Sequence, residues 1–438
     1  MDAINVVYQG HYVGALSFDT DKGTSAFQYA PAFVKTDIEL SPLHMPLSEQ
    51  IYSFPGLDYD AFRGLPGLLA DSLPDDFGNA VLNDWVASRG QSVAEITPLQ
   101  RLKFTGKRGM GALTFNPATR LKNLNASHVI EIASLVKIAQ EVLDRREHFH
   151  VELSGDGRED KEAMLALLSV GMSAGGTRPK AVLAFNKDFT QVRSGQVDAP
   201  RGFVHYLVKF DGVTEHQSQQ QTFGDPLGYS AMEYVYSIMA KDCRITMMPC
   251  SLLDEGPRRH FITRRFDRDE NKKIHYQSLN GLAHVSYKKP GEYSYAELFG
   301  VARRLNLPAT DAEQLFRRMV FNVVAKNHDD HSKNFAFMFS EEKGWQLAPA
   351  FDVVFSFKPG SKWVNSHWMT INGKRDDFRR EDFYSFADLS PLFSRRKIDQ
   401  ILDEVIASVA RWPQLAREFE VSDGLLRLVN KNLRLSLR

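Results

Sequence analysis

The residues of this chain best suited to chemistry gather in Asn327-His328-Asp329-Asp330-His331-Ser332-Lys333-Asn334. Charged and amide groups are packed there between two apolar flanks, Phe321 to Ala325 and Phe335 to Phe339. Another carboxylate, Asp352, follows in Pro349-Ala350-Phe351-Asp352-Val353-Val354. Polar groups held against apolar surroundings need partners, and a ligand can supply them. These residue types suit phosphoryl transfer, which asks little covalent chemistry of a protein. One carboxylate takes the proton of the attacking hydroxyl, while an amide oxygen and a second carboxylate hold Mg²⁺ against the phosphates.

Asp329 and Asn334 stand at the spacing of a kinase catalytic loop's base and amide, and Asp352 follows at a suitable remove for the metal carboxylate. A lone Asp and Asn at this spacing is common among capping residues of loops. The full Asp-x-His-x-Lys-Asn run followed by Phe-Asp is more specific.

Two further segments could serve phosphate. Gly171-Met172-Ser173-Ala174-Gly175-Gly176-Thr177-Arg178-Pro179-Lys180 precedes a strand-like run, and its small residues let backbone amides approach phosphate oxygens. It is not a Walker A loop, because Thr-Arg follows the second glycine, and a plain hairpin turn fits the local pattern equally well. Lys209 lies in the apolar run Phe203 to Phe210. A lysine there commonly snorkels to solvent, but in a phosphoryl-transfer site it would hold the nucleotide's phosphates, oriented by a helix glutamate such as Glu233.

The elements that must carry these groups are legible in outline. Val6, Tyr8, Val13, Leu16 and Phe27 lie in short strand-like runs broken by Gly10, Gly14 and Gly23. A helix capped by Ser127 carries Ile132, Leu135, Val136, Ala139, Val142 and Leu143, and Ser154 to Lys161 reads as a loop. Strands return at Ala181 to Phe185, Phe203 to Phe210 and Arg259 to Phe266, with a helix around Met232 to Ala240. The remainder is helical. Ser294-x-x-Glu297 and Thr310-x-x-Glu313 read as capping boxes, the second opening a helix through Leu315, Phe316, Met319, Val320, Val323 and Val324 that leads into the Asp329 loop. A late helix carries Ile398, Ile401, Leu402, Val405, Ile406 and Val409.

With 438 residues, 43% hydrophobic and 25% charged, the chain has room for two or three cores. Its 54 basic and 54 acidic residues cancel, so no global charge draws it to nucleic acid or membrane. Cys243 and Cys250 are too few for a disulfide framework or a cysteine zinc site. The N-terminus shows no signal-peptide pattern and no apolar run reaches the length of a membrane span, so the expected location is cytoplasmic, with no membrane partner.

In order along the chain, these motifs resemble the HipA family of bacterial toxin kinases. The resemblance rests on Ser173 to Lys180, Lys209, Arg265-Phe266-Asp267-Arg268, Asp329 to Asn334 and Phe351-Asp352. It extends to Gly14-Ala15-Leu16-Ser17-Phe18, Phe27-Gln28-Tyr29-Ala30 and Leu68-Leu69-Ala70-Asp71-Ser72-Leu73-Pro74-Asp75, and so covers nearly the whole chain. It implies an α+β, two-lobed protein-kinase-like fold, with an extra N-terminal subdomain (1–118), a strand-rich N-lobe with the phosphate loop (119–266) and an all-helical C-lobe with the catalytic and metal loops (267–438).

The resemblance further implies a serine/threonine kinase using ATP and Mg²⁺. Asp329 would be the catalytic base, and Asn334 and Asp352 the metal ligands. Ala174, Gly175, Gly176, Thr177, Lys180, Lys209 and His331 would contact nucleotide or phosphate. Arg264, Arg265 and Phe266 fall where the family's hinge meets adenine. Ser173 matches the loop serine whose autophosphorylation ejects the loop, in line with the charge of about −1.5 to −2 that a phosphate adds. The family's substrates are aminoacyl-tRNA synthetases. Its usual partner is a helix-turn-helix antitoxin, so DNA would be reached only through that partner. Asp330 stands where the family often has glycine, which sets another carboxylate beside the base, to act on its titration or on the metal. Asp352 is followed by Val-Val rather than Phe-Gly, and Thr177-Arg178-Pro179 is an unusual ending for the phosphate loop.

Three other readings stay open. A small-molecule kinase would use the same residues. A catalytically inert scaffold in an antitoxin–DNA complex would not need all of Lys209, Asp329, Asn334 and Asp352. A metal-dependent phosphohydrolase would use His328, Asp329 and His331 with further histidines such as His260, His275 or His284.

Overall fold

Alternation of side chains along each strand builds the first sheet. In β1 (Ala3–Tyr8), Ile4, Val6 and Tyr8 are buried and Ala3 and Asn5 are exposed. With β2 (His11–Asp19), β3 (Thr24–Tyr29), β4 (Ile51–Tyr52) and β5 (Leu113–Asn116) it forms an antiparallel sheet in the order β4-β3-β2-β1-β5. The computed structural model describes residues 3–87, 89–119, 130–145, 178–213 and 227–437. Ser127, the loop Ser154 to Lys161 and the phosphate-loop residues Ser173, Ala174, Gly175, Gly176 and Thr177 lie outside the described residues.

The chain divides into two compact units. The first takes in Met1–Leu40, Met45–Ser230 and Cys250–His275, and the second Ser41–His44, Ala231–Pro249 and Tyr276–Arg438.

In the first unit a second antiparallel sheet, in the order β7-β6-β8-β10-β9, combines β6 (Lys180–Phe185), β7 (Val192–Ser194), β8 (Val204–Lys209), β9 (Cys250–Glu255) and β10 (Arg258–Arg264). Every residue of β6 is buried, the pattern of a strand covered on both faces. Ala181, Leu183 and Phe185 share one core with Val208, Ile262 and residues of the helices Asp76–Ala87, Pro98–Thr105 and Ile132–Arg145, among them Phe77, Val81, Phe104 and Leu135. Gly195 follows β7 so close to Leu183 that a Cβ would come within 2.7 Å of its backbone, which excludes any side chain there.

The second unit is built around the helix Ala309–Val324, whose last ten residues, Leu315 to Val324, are all buried. Its C-terminal carbonyls are pinned by Tyr236, whose hydroxyl donates to the Ala325 carbonyl at 2.8 Å. Arg317, buried in its flank, donates to Glu313, Glu404 and the Cys243 carbonyl, tying in the helices Arg395–Val409 and Tyr229–Asp242. Phe316 stacks on Phe393 at 4.8 Å.

Two details depart from expectation. The Ser294 capping box is present, with both reciprocal hydrogen bonds to Glu297, but Thr310 caps nothing. Its helix starts two residues earlier than a Thr310 cap would place it, with Pro308 as N-cap at φ −67° and ψ 162°, which puts Thr310 inside the first turn. Glu313 instead binds Arg317 and Lys397. The second is strand structure in the region 267–438, expected to be all-helical: a pair, Arg268–Asp269 with Lys272–Lys273, and a three-stranded sheet of His275–Ser278, Ala336–Ser340 and Gly344–Leu347.

Candidate active site

The Asp329 loop leaves the central helix through Ala325 and Lys326, the latter at φ 56°. Its backbone runs beside Ser356, whose carbonyl accepts from the His328 amide at 3.1 Å, while the Ser356 amide donates to the Lys326 carbonyl at 3.0 Å. Asn334 then folds back on the loop. Its side-chain Nδ2 donates to the Asp329 carbonyl at 2.7 Å and its amide to the His331 carbonyl at 2.9 Å. With the NH₂ end so used, Oδ1 is the free end of the amide. His331 Nε2 lies 3.6 Å from Asp329 Oδ1, and the Asp329 side chain keeps 43% of its exposure.

Asp352 adopts φ 51°, the left-handed region that Asp tolerates better than most residues and that is often held at functional sites. Asn334 and Asp352 line one cavity, together with Asn322, Asn327, Asp330, Arg318 and the apolar Ile245, Phe321, Phe335 and Phe351. Asp329 is not in its lining, but its carbonyl accepts from Asn334, which is. An amide oxygen and a carboxylate are hard donors that fit Mg²⁺. Asn327 adds a buried Oδ1 with no hydrogen-bond partner.

Asp330 does not act as a free charge beside the base. Its side chain is fully buried and accepts from the Tyr295 hydroxyl (2.7 Å), the Trp368 amide (2.7 Å) and His367 Nδ1 (2.9 Å). The carboxylate therefore has a structural anchor on three sides. His328 is buried beside His367, with ring centroids 4.2 Å apart, and burial lowers its pKa to about 2, so the ring is neutral.

In the first unit Lys180 and Lys209 are paired across β6 and β8, both only 3% exposed. Opposite residues of an antiparallel pair point to one face, so both ammonium groups lie on the face turned away from Ala181 and Val208. Lys180 Nζ is 3.4 Å from Asp75 Oδ2, and Asp75 Oδ1 accepts from the Gly78 amide at the start of the helix Asp76–Ala87. Burial raises the Asp75 carboxyl above its ordinary range, against the pull of Lys180.

Arg264, at the end of β10, is half-buried and opposite Tyr206, and Phe266 is half-buried. The Arg265 side chain is committed to structure, with a bidentate pair to Asp267 at 2.8 and 2.6 Å and a bond to the Gly195 carbonyl. Burial alone would raise the Asp267 carboxyl, but Arg265 overrides it and brings it to about 2. Glu233 is buried on the helix Tyr229–Asp242 of the second unit.

The histidines of the phosphohydrolase reading are engaged elsewhere. His260 bonds the Asp211 amide and Glu255, His275 bonds the Leu40 carbonyl, and His284 stacks on His44 at 4.3 Å. Among the described residues no group of three or more His, Cys, Asp or Glu could hold a metal ion. Among them, too, no helix is long and apolar enough to cross a membrane.

Comparisons with known proteins match residues 4–116 to the HipA N-terminal domain and residues 172–412 to the HipA-like C-terminal domain. A relative from Sinorhizobium fredii (strain NBRC 101917 / NGR234), named "Putative kinase Y4mE", is 26% identical over 221 residues, 47% of this chain and 48% of the relative. A second, from Haemophilus influenzae (strain ATCC 51907 / DSM 11121 / KW20 / Rd) and named "Putative kinase", is 25% identical over 181 residues, 35% of this chain and 52% of its own. The chain thus spans about half the length of the curated relatives it matches. Among solved structures, the Shewanella oneidensis MR-1 toxin–antitoxin system HipA, HipB and operator DNA complex is similar at a TM-score of 0.65 and 18% identity, covering 98% of this chain and 94% of that one. That likeness shows the fold to be the expected two-lobed, kinase-like α+β arrangement. With both of its domain models matched, over more than half of its length, the chain belongs to the HipA family.

Proposed function

We propose that this chain is an ATP- and Mg²⁺-dependent protein serine/threonine kinase of the HipA type. The observation that carries the reading is the meeting of Asn334 and Asp352 in one cavity, with Asn334 tied to the backbone of Asp329. In this reading Asn334 and Asp352 hold the cation, whose charge offsets that of the transferring phosphoryl group. Asp329, half-exposed beside His331, accepts the proton of the attacking serine hydroxyl. Lys180, Lys209 and the residues Ala174 to Thr177 are the proposed phosphate contacts, and Arg264, Arg265 and Phe266 the proposed adenine contacts.

Ser173 is the proposed site of autophosphorylation, and the substrate a protein of translation such as an aminoacyl-tRNA synthetase. The Shewanella toxin–antitoxin protein was solved with HipB and operator DNA, and a helix-turn-helix antitoxin is the partner proposed here.

The test is incubation of the full chain with Mg²⁺ and γ-labelled ATP. Wild type should label at Ser173, Asp329→Ala should bind nucleotide but not label, and Asp352→Asn should lose Mg²⁺-dependent binding. A wild type that binds no nucleotide would overturn the proposal. Phosphoproteomics after brief expression, wild type against Asp329→Ala, identifies the substrate, and equal growth arrest by both would reject kinase-based toxicity.

A further inference from the structure

The structure points to a residue that the phosphoryl-transfer pattern does not include. Asn327 is 3% exposed, and it lines the cavity shared by Asn334 and Asp352. Its Nδ2 donates to Asn322 Oδ1 at 2.9 Å, and Asn322 Nδ2 donates to the Tyr295 hydroxyl oxygen at 3.0 Å. Tyr295 in turn donates to Asp330 Oδ2 at 2.7 Å.

The direction of this chain is set at its far end. Three donors, the Tyr295 hydroxyl, His367 Nδ1 and the Trp368 amide, converge on the two Asp330 oxygens, which therefore act as acceptors. Tyr295 must therefore spend its proton on Asp330, and its oxygen must accept from Asn322. The Asn322 carbonyl is then left to accept from Asn327, so the NH₂ of Asn327 is used inside the protein. What remains is Asn327 Oδ1, which is buried and has no hydrogen-bond partner. A buried acceptor without a partner is costly unless something in the site satisfies it. Asn334 shows the same logic, since its NH₂ is held by the Asp329 carbonyl.

We infer that Asn327 supports the cation site from outside the coordination shell, its Oδ1 accepting from a water held by the cation, and that Asp330 fixes its orientation through Tyr295 and Asn322. A divalent cation that retains waters needs such acceptors around its shell. The inference rests on the cation-site reading of Asn334 and Asp352. It gives Asp330 a positioning role: its acceptance of the Tyr295 proton determines which end of a distant amide faces the ligand. Tyr295→Phe removes the hydroxyl that transmits this direction and frees Asn322 and Asn327 to turn over, without altering any group in the cavity lining.

The test is Mn²⁺ binding to the full chain, followed by electron paramagnetic resonance with a non-hydrolysable ATP analogue present, with thermal melting as a check of folding. Tyr295→Phe and Asn327→Ala should each weaken Mn²⁺ binding about five- to tenfold, the scale of one hydrogen bond. Asn327→Asp, which presents an oxygen whichever way it turns, should bind at least as tightly as wild type. If Asp352→Asn abolishes binding while Tyr295→Phe and Asn327→Ala bind as wild type does, the inference is overturned and the cation site stands. If wild type binds no Mn²⁺, both fall. Should Tyr295→Phe fail to fold, the contrast between Asn327→Ala and Asn327→Asp decides alone.

Discussion

Lys180 and Lys209 stand directly opposite each other on β6 and β8, both buried and both on one face of the sheet. Like charges in that relation repel, so the arrangement needs anions. Asp75 supplies one to Lys180 at 3.4 Å. Asp75→Ala should therefore destabilise the protein by about 3–5 kcal/mol, because it leaves a buried ammonium unpaired. Adding Lys180→Met to that variant should recover most of the loss. Urea denaturation of the two single variants and the double variant measures it.

Asp330 satisfies three buried donors, from Tyr295, His367 and Trp368. Asp330→Ala should cost roughly 3–5 kcal/mol, the scale of orphaning several buried polar groups. A melting temperature close to that of wild type would show that the network relaxes without it.

Stability should fall on acidification. Burial holds His275 at about 4 and His328 at about 2, against 6.5 for an ordinary histidine. Both are therefore neutral when folded at pH 5, whereas the unfolded chain takes up a proton at each. The unfolded state binds more protons below pH 6.5, so stability is fully present above 6.5 and is lost as pH falls toward the folded values. At pH 5 the loss is about 2 kcal/mol for each histidine. His328→Asn and His275→Asn should each flatten the pH dependence of the urea midpoint between 7 and 5. An unchanged slope in both would contradict the burial argument.

Helix capping distinguishes two residues with the same local signature. Ser294→Ala removes a side chain that accepts from the Glu297 amide and should cost about 1 kcal/mol. Thr310→Ala, exposed and inside its helix, should stay within about 0.5 kcal/mol of wild type. Thermal melts of the two variants give the comparison.

Much of the fold is legible in the sequence. The strands around Val6, Ala181 and Val208 and the central helix through Val324 follow from apolar periodicity, which burial enforces. Thr310 misled because a capping box is a local pattern, and Pro308 starts the helix ahead of it. The cation-site candidates Asn334 and Asp352 were legible because chemistry restricts their types. Tyr295, Asn322 and Asn327 were not, since their roles depend on partners distant in the chain. The one local sign was an asparagine inside the apolar run Phe321-Asn322-Val323. Asp75 was visible only as part of a motif, and nothing in its neighbourhood announces a partner at residue 180.

The clamp at Asp267 reaches beyond its own loop. Its carboxylate also accepts from the Gly111 amide, Lys273 Nζ donates to the Lys107 carbonyl, and Phe77, Val81 and Phe104 fill the same core as Leu183 and Ile262. The segment matched as the HipA N-terminal domain thus supplies backbone partners and core side chains to the sheet that follows it. Cutting the chain after residue 118 would not release an independently folded fragment. It would strip hydrogen bonds from the Asp267 carboxylate and the Lys273 side chain, and lay bare one side of the β6–β8 sheet. The N-terminal segment and the β6–β10 sheet share one core, so they are expected to fold as one piece.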